Sequence, residues 1–250
     1  MATAATRRRE KEGGRRKGTA LLSLALIFAN CSPSFAGALQ VDPVTLELER
    51  GARAAVLTLR NRDSRPSTVR VEVYRWNQSE GADVYEPAND MIASPSAATL
   101  EPGATQLVRI GPRAIPAAGA YRVIVSQVPE AAEPGTGVKV VLRLDLPLFV
   151  AGDPHARPEL SWSARLVADR KLLVEGSNSG ARHARVLGLS ASVDGRVVAS
   201  SAQPRVILAH SARRWTLGPR TELTPGARVN LQIRTEQGNV AAQSFTLGRP

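Results

Sequence analysis

The sequence predicts an all-β protein that is built from two β-sandwiches. From Leu39 onward, apolar residues recur mostly at every second position, in short runs separated by Gly, Pro, Asn and Asp. This spacing is typical of strands that bury one face and are joined by turns. The pattern lapses once, between Ala151 and Pro158, where two prolines interrupt any continuing ladder. We therefore predict two domains, at residues 39–150 and 159–250, joined by a linker.

The first 36 residues have the pattern of an export signal. Basic side chains between Arg7 and Lys17 precede an uncharged run from Ala20 to Ala29, which corresponds to the n-region and h-region of a signal peptide. The run is shorter than the roughly 20 residues that span a bilayer. The small residues around Phe35 favour cleavage after Ala36, so we expect residues 1–36 to be removed and the product to reach the periplasm without stable membrane insertion.

Much of the positive charge lies in this leader. Seven basic and two acidic side chains fall within residues 1–36, so their removal lowers the formal net charge from +11 to +6. After residue 36 the sequence has no run of Lys and Arg interleaved with aromatic residues, which is the usual footprint of nucleic-acid binding. We expect no nucleic-acid partner.

The sequence also offers little material for catalysis. Its single cysteine, Cys31, lies in the leader, and its histidines are His155, His183 and His210. We expect His155 to be solvated in the linker and His183 to be exposed at the start of a strand. No phosphate-binding glycine loop, nucleophile elbow or zinc-binding helix motif is present. The sequence therefore predicts neither an enzyme nor a cofactor.

The alternation divides each half of the chain into short strands. The first half contains seven predicted strands, at Leu39–Glu49, Ala54–Arg60, Thr68–Trp76, Asp90–Ala93, Gln106–Ile110, Ala120–Val128 and Val138–Val150. Seven such strands are typical of a sandwich. The second half contains eight, at Trp162–Val167, Lys171–Glu175, His183–Val193, Arg196–Ser200, Val206–Leu208, Arg213–Leu217, Val229–Thr235 and Val240–Leu247.

The third predicted strand presents an aromatic pair on its non-core face. Val69, Val71 and Val73 share one face, and Tyr74 and Trp76 lie on the other. The pair can form a binding surface, but we favour a structural role, in which it caps a sheet edge or the interdomain side of the sheet.

Several segments of the first half resemble the periplasmic chaperones of the chaperone/usher pilus pathway, and their archaic branch in particular. The resemblance covers residues 39–150 and is carried by Asp42-Pro43-Val44, Tyr74-Arg75-Trp76, Leu100 to Ile110, Ala120-Tyr121-Arg122 and Leu142 to Val150. Over residues 151–250 it depends on length and strand pattern alone.

The resemblance implies a boomerang of two immunoglobulin-like domains with a chaperone function. The first domain of such a chaperone inserts its last strand into the open groove of an incomplete pilus subunit, and the complex is then delivered to an outer-membrane usher. Pilus subunits and an usher are thus the expected partners. Such donor-strand complementation satisfies the subunit's unpaired backbone groups and fills its groove with alternate side chains.

The last strand of the first domain suits the donor role that the resemblance implies. Val138, Val140, Leu142 and Leu144 form an apolar row at every second position. We expect these residues to fill the groove of the subunit, since full burial of an aliphatic side chain contributes about 1.5 to 3 kcal/mol. Without the resemblance, the residues favour the alternative, in which the whole row packs inside its own domain as an ordinary terminal strand.

The resemblance further implies that basic side chains bind the C-terminal carboxylate of the subunit. We assign this role to Arg122 and Arg143, because a guanidinium binds a carboxylate with two parallel hydrogen bonds. The alternative is an ordinary surface ion pair, for instance with Asp145. The best-known branch uses an arginine and a lysine at positions that here hold the segment 44–46 and Pro147, so that anchor is absent.

A different function is also consistent with two sandwiches. A secreted structural or adhesive immunoglobulin-like module has the same strand pattern, as does a pilus subunit. A subunit, however, lacks one strand of its sandwich, whereas the strand pattern of the first domain is complete.

Overall fold

The computed structural model describes residues 39–114, 118–129 and 141–249 of the chain. Its regular elements are eighteen strands and one short 3₁₀ turn, Ala168–Arg170. No helix in the described part of the chain is long and apolar enough to cross a membrane. The prediction of an all-β, two-domain fold is confirmed.

Ten strands form the first sandwich. They are β1 (Leu39–Asp42), β2 (Leu46–Leu48), β3 (Ala55–Asn61), β4 (Ser67–Ser79), β5 (Ala82–Pro87), β6 (Met91–Ser94), β7 (Ala97–Leu100), β8 (Thr105–Pro112), β9 (Gly119–Gln127) and β10 (Arg143–Val150). One sheet has the order β1-β3-β8-β6 and the other has the order β2-β10-β9-β4-β5, with β7 also paired to β4. The core between these sheets includes Leu57, Ile110 and Val123, none of which is exposed.

The structure corrects the predicted first strand. Residues 39–49 were expected to form one strand, but β1 pairs antiparallel with β3 in one sheet, whereas β2 pairs parallel with β10 in the other. The chain leaves the first sheet at Pro43, which has no N–H to donate to a ladder. This segment therefore closes one side of the sandwich by crossing between its two sheets.

Two strands were not predicted, because little of their surface is buried. The segment β5 lies at the edge of its sheet with most of its side chains exposed. The segment β7 is a short Ala-Ala-Thr-Leu stretch that pairs only with the start of β4. Neither stretch alternates between apolar and polar residues, and alternation was the signal on which the strand predictions depended.

Eight strands form the second sandwich. They are β11 (Leu160–Val167), β12 (Lys171–Asn178), β13 (Ala184–Val193), β14 (Arg196–Ser201), β15 (Arg205–Ile207), β16 (Ser211–Leu217), β17 (Arg228–Thr235) and β18 (Gly238–Thr246). One sheet has the order β11-β12-β16 and the other has the order β14-β13-β17-β18, with β15 also paired to β13. Trp162, Trp215 and Leu231 are buried in its separate core.

Each sandwich contains a buried asparagine at the end of one strand. Asn61 ends β3, and its side-chain amide donates to the carbonyl oxygens of Arg65 and Leu100. Asn178 ends β12 and donates in the same way to the carbonyl oxygens of Arg182 and Leu208. In both cases the first acceptor lies four residues further along the chain. The repeated arrangement indicates that the two domains have related folds.

Candidate functional site

The strand β10 has one edge that is only partly paired. Along its whole length β10 pairs with β9, from Arg143 opposite Ser126 to Val150 opposite Gly119. On the other side β2 covers only residues 148–150. No described strand pairs with this edge between Arg143 and Pro147, so the described part of the chain leaves a five-residue open edge.

The register shows which backbone groups lie on the open edge. The N–H of Gln127 donates to the carbonyl oxygen of Leu142 (2.9 Å). Because antiparallel hydrogen-bonded pairs alternate along a ladder, the even-numbered residues of β10 bond to β9. The backbone groups of Arg143 and Asp145 therefore point away from β9, toward the open edge. Pro147 offers only its carbonyl oxygen there.

The apolar row of β10 is buried to different degrees along the strand. Leu148 is fully buried and Leu146 is 6 % exposed, so both belong to the core of their own sandwich. Leu142 and Leu144 are only partly buried at the margin of that core. Val138 and Val140 lie outside the described residues. The row thus ends inside the domain near the linker and approaches the surface at its other end.

Arg122 lies on the opposite, outer face of the same sheet, on β9. Its guanidinium carbon stands 3.7 Å from the ring centroid of Trp76, which is a cation–π distance, and 6.0 Å from that of Tyr85. Its Nη1 atom is 3.3 Å from Oδ1 of Asp145, and its side chain is 17 % exposed. Its Nε atom is buried and has no hydrogen-bond partner in the described part of the chain.

The structure does not bring Arg143 next to Arg122. Arg143 pairs with Ser126, whereas Arg122 pairs with Pro147, four residues further along β10. Four residues of strand span about 13 Å. Both arginines lie on the outer face of the sheet. Along β10, Asp145 lies midway between Arg143 and Pro147, the residue that pairs with Arg122. The two side chains are therefore not neighbours on the sheet, and a carboxylate that contacts both has to lie between them, near Asp145.

The outer face of the sheet beside Arg122 lies at the junction with the second sandwich. Trp76, Phe149 and Leu208 are buried against one another in a cluster that contains residues of both sandwiches. The side-chain amide of Gln78 donates to the carbonyl oxygen of Val206 (2.8 Å) and accepts from the N–H of Leu208 (3.0 Å). The amide thus pairs with the second domain as a peptide group in a ladder would.

An ion pair lies beside this cluster. Asp83 on β5 pairs with Arg213 on β16, and both side chains are mostly buried. Asp83 also accepts from the indole N–H of Trp76 (2.8 Å) and from the amide of Gln78 (3.0 Å). Burial alone raises the pKa of Asp83, but the hydrogen bonds from Arg213, Gln78 and Trp76 outweigh it and lower the pKa below its usual value.

A crevice of about 400 Å³ lies between the sandwiches, beside the linker. Trp76, Phe149 and His183 contribute to its walls. The His183 ring stacks on that of Phe149 with 3.6 Å between the centroids. The prediction that His183 is exposed was wrong, because the loop before β13 turns this side chain against the first sandwich instead of into solvent.

The described residues include no group of three or more His, Cys, Asp or Glu side chains that is placed to hold a metal ion. The site therefore consists of a strand edge, an apolar row and an arginine on an aromatic ring. Such an arrangement has the chemistry to pair with the backbone of a polypeptide chain and to accept a carboxylate.

Comparison with known families bears on residues 38–155. They match the family described as "Pili and flagellar-assembly chaperone, PapD N-terminal domain". The match covers the whole of the first sandwich and the start of the linker. The family resemblance predicted from the sequence is confirmed. The comparison with curated protein sequences gives no match.

Solved structures of such chaperones have the same fold over most of the chain. The chaperone in the CsuC–CsuE pre-assembly complex from the archaic Csu pili of Acinetobacter baumannii aligns with a TM-score of 0.64 and 21% identity, covering 84% of this chain and 99% of that one. The SafB complex with the SafA pilin of Salmonella enterica gives 0.55 and 17%, covering 84% and 96%. The Escherichia coli chaperone DraB gives 0.55 and 16%, with the same coverage.

Sequence reasoning missed the residues that join the chaperone domain to the second sandwich. Gln78, Asp83 and His183 interact across the junction, yet none of them belongs to a recognisable motif. Trp76 was expected at a sheet edge or on the interdomain side, and it lies at the junction. An aromatic residue on the non-core face of a strand was the one available signal, and it did not identify the partners.

Proposed function

We propose that this protein is a periplasmic chaperone that binds pilus subunits by donor-strand complementation and delivers them to an outer-membrane usher. The observation that carries the proposal is the open edge of β10 between Arg143 and Pro147, within a domain of the pilus-chaperone family. We propose that it acts by binding alone, without catalysis or a cofactor, after export directed by residues 1–36.

The open edge gives the client two kinds of interaction. The backbone groups of Arg143 and Asp145 complete the ladder of a strand that would otherwise expose its own polar groups. Leu142 and Leu144, with Val138 and Val140 before them, supply the apolar side chains for the groove of the client. Leu146 and Leu148 remain in the core of the chaperone domain and hold the strand in place.

Arg122 is the side chain best placed to bind the C-terminal carboxylate of the client. The guanidinium lies over the Trp76 ring, and its Nε atom has no acceptor among the described residues. A planar guanidinium binds a carboxylate with two parallel hydrogen bonds. Arg143 lies on the same face near the far end of the open edge and contributes to client binding from there.

Coexpression with a pilus subunit encoded beside this gene tests the function. We expect a one-to-one complex that protects the subunit from proteolysis. Leu142→Glu weakens the complex because it places a charge in an apolar groove. Leu107→Glu is the matched control, since Leu107 is an exposed leucine, 47 % accessible, on β8 of the other sheet. Equal binding by the two folded variants contradicts the assignment of the strand.

A backbone substitution tests the edge without adding a charge. Arg143→Pro removes the N–H that points to the open edge, and it breaks no bond to β9. Arg143→Ala is its control, because it removes the same side chain and keeps the N–H. We expect weaker subunit binding by the proline variant than by the alanine variant. Equal affinity excludes strand pairing at this edge.

A further inference from the structure

We propose that in the empty protein Asp145 occupies the place on Arg122 that the client carboxylate takes, and that Arg143 receives Asp145 when it is displaced. The inference rests on the proposed function, because it concerns the state of Arg122, the proposed carboxylate anchor, before the client binds. In this inference Asp145 holds the place of the client carboxylate, and Arg143 binds the displaced Asp145 instead of the client carboxylate.

Arg122 is oriented before any ligand arrives, and its Nε donor has no acceptor in the described part of the chain. Its guanidinium is fixed on the Trp76 ring, 3.7 Å from the centroid. Its one ion-pair partner within the described residues is Asp145, through a single contact of 3.3 Å from Nη1. The Nε atom is buried without a partner. A second acceptor oxygen is therefore the missing component, and a carboxylate approaching in the guanidinium plane supplies it.

Asp145 is suited to leave this contact. Its side chain is 44 % exposed, and ion pairs between partly exposed groups stabilise proteins little. It also lies within the open stretch of β10, so the client strand that pairs with this edge reaches Asp145 as it docks. Docking of the strand and release of Arg122 therefore occur at the same place.

Arg143 is the nearest alternative partner on the same strand. It precedes Asp145 by two residues, so the two side chains lie on one face of β10 about 7 Å apart along the strand. Arg143 is exposed and forms no ion pair with any described residue. Asp145 can thus move from one arginine to the other and keep a partner throughout.

Glu72 provides a matched comparison for Asp145. Both residues are exposed acids that lie directly opposite Ile124, Glu72 on β4 and Asp145 on β10. Only Asp145 forms an ion pair with Arg122 among the described residues. A variant at Glu72 therefore reports the general effect of removing one negative charge from this face, and a variant at Asp145 reports that effect together with the direct contact.

The test measures the affinity of the full chaperone for a pilus subunit with a free C-terminus. Because Asp145 competes with the subunit carboxylate, we expect Asp145→Asn to bind the subunit about two- to fivefold more tightly than the wild type, and Glu72→Gln to bind it as the wild type does. With a subunit whose C-terminus is extended by two residues, the gain disappears. Wild-type or weaker affinity for Asp145→Asn overturns the inference, and weaker affinity identifies Asp145 as a group that positions Arg122.

A second measurement separates the two roles of Arg143. If Arg143 acts through Asp145, Arg143→Gln weakens binding in the wild type and has no effect in the Asp145→Asn protein. If Arg143 contacts the client directly, the loss is the same in both proteins, and the inference is wrong on this point. Failure of the wild-type protein to bind any subunit contradicts the proposed function itself, and is distinguished in this way from failure of the role of Asp145.

Discussion

Phe149 of the first sandwich and His183 of the second stack face to face, with ring centroids 3.6 Å apart and ring planes inclined by 8°. The contact joins the last strand of one domain to the loop that precedes β13 of the other. Burial, together with the positive charges of Arg182 and Arg185, lowers the pKa of His183 to about 4. The imidazole is therefore neutral in the folded protein at neutral pH.

This pKa predicts a pH dependence of stability. The pKa of an unfolded histidine is about 6.5, so between roughly pH 6.5 and 4 the unfolded chain binds a proton at His183 that the folded chain does not. The contribution of neutral His183 to the free energy of unfolding is fully present above pH 6.5 and is lost as the pH falls toward 4. We expect His183→Phe, which keeps the stacking, to gain stability relative to the wild type over this range. Urea unfolding at several pH values measures the difference.

The control is His155→Phe in the linker, since His155 is exposed. It removes one histidine without affecting the stack, and we expect it to retain the pH dependence of the wild type. If the free energy of unfolding varied with pH in the same way for the wild type and His183→Phe, the prediction would be contradicted.

The Asp83–Arg213 pair predicts a large loss of stability on neutralisation. Asp83→Asn leaves the guanidinium of Arg213 in a mostly buried position without its counter-ion. Removing one partner of a buried pair costs about 3 kcal/mol or more. Glu86→Gln on the same strand is the control, since Glu86 is exposed. Denaturant unfolding of both variants tests the prediction, and equal losses would show that the pair contributes no more than surface charge.

Gln78 predicts a local effect at the junction. Gln78→Ala removes the acceptor of the Leu208 N–H and the donor to the carbonyl oxygen of Val206. We expect the amide hydrogen of Leu208 to exchange faster with solvent, and stability to fall by about 1 to 3 kcal/mol because buried polar groups lose their partners. Asn77→Ala serves as the control, since Asn77 is an exposed neighbour. Unchanged protection of Leu208 would exclude this role for Gln78.

The buried asparagines predict similar losses in the two domains. Asn178 is 2 % exposed and Asn61 is 1 % exposed. Asn→Asp at either position replaces an N–H₂ donor with an oxygen that faces two carbonyl oxygens. We expect each variant to lose at least 2 kcal/mol of stability at neutral pH. Thermal unfolding checks this, with Asn→Ser variants as a milder comparison. A loss confined to one domain would argue against equivalent roles.

Much of the fold could be predicted from alternation alone. Strands such as β3 and β17 bury every second side chain, and this pattern is visible in the order of the residues. The edge strand β5 could not be predicted, because exposure on both faces leaves no periodic signal. The division of residues 39–48 between two sheets was missed for another reason. Both halves bury alternate residues, and alternation does not indicate which strand each half pairs with.

For the candidate site, the sequence predicted a strand that ends at Val150, as β10 does, but it did not predict the arrangement of the charges. Arg122 and Arg143 were expected to act as a pair, and the register separates them by four residues on β10. Asp145 was considered only as an ordinary ion-pair partner for these arginines. Its position between them follows from the pairing of β10 with β9, which a single sequence does not contain.

The sequence by itself determined the all-β class, and it contained the lapse in alternation after residue 150 and the resemblance of the first half to a chaperone family. These features depend on the local order of residues, because alternation, proline positions and short motifs each involve residues that are close in the sequence. The tertiary structure alone decided that none of the described strands covers the edge of β10 between Arg143 and Pro147, and that Trp76 lies beneath Arg122. Those contacts join residues distant in the sequence, so they are fixed by strand register and sheet packing.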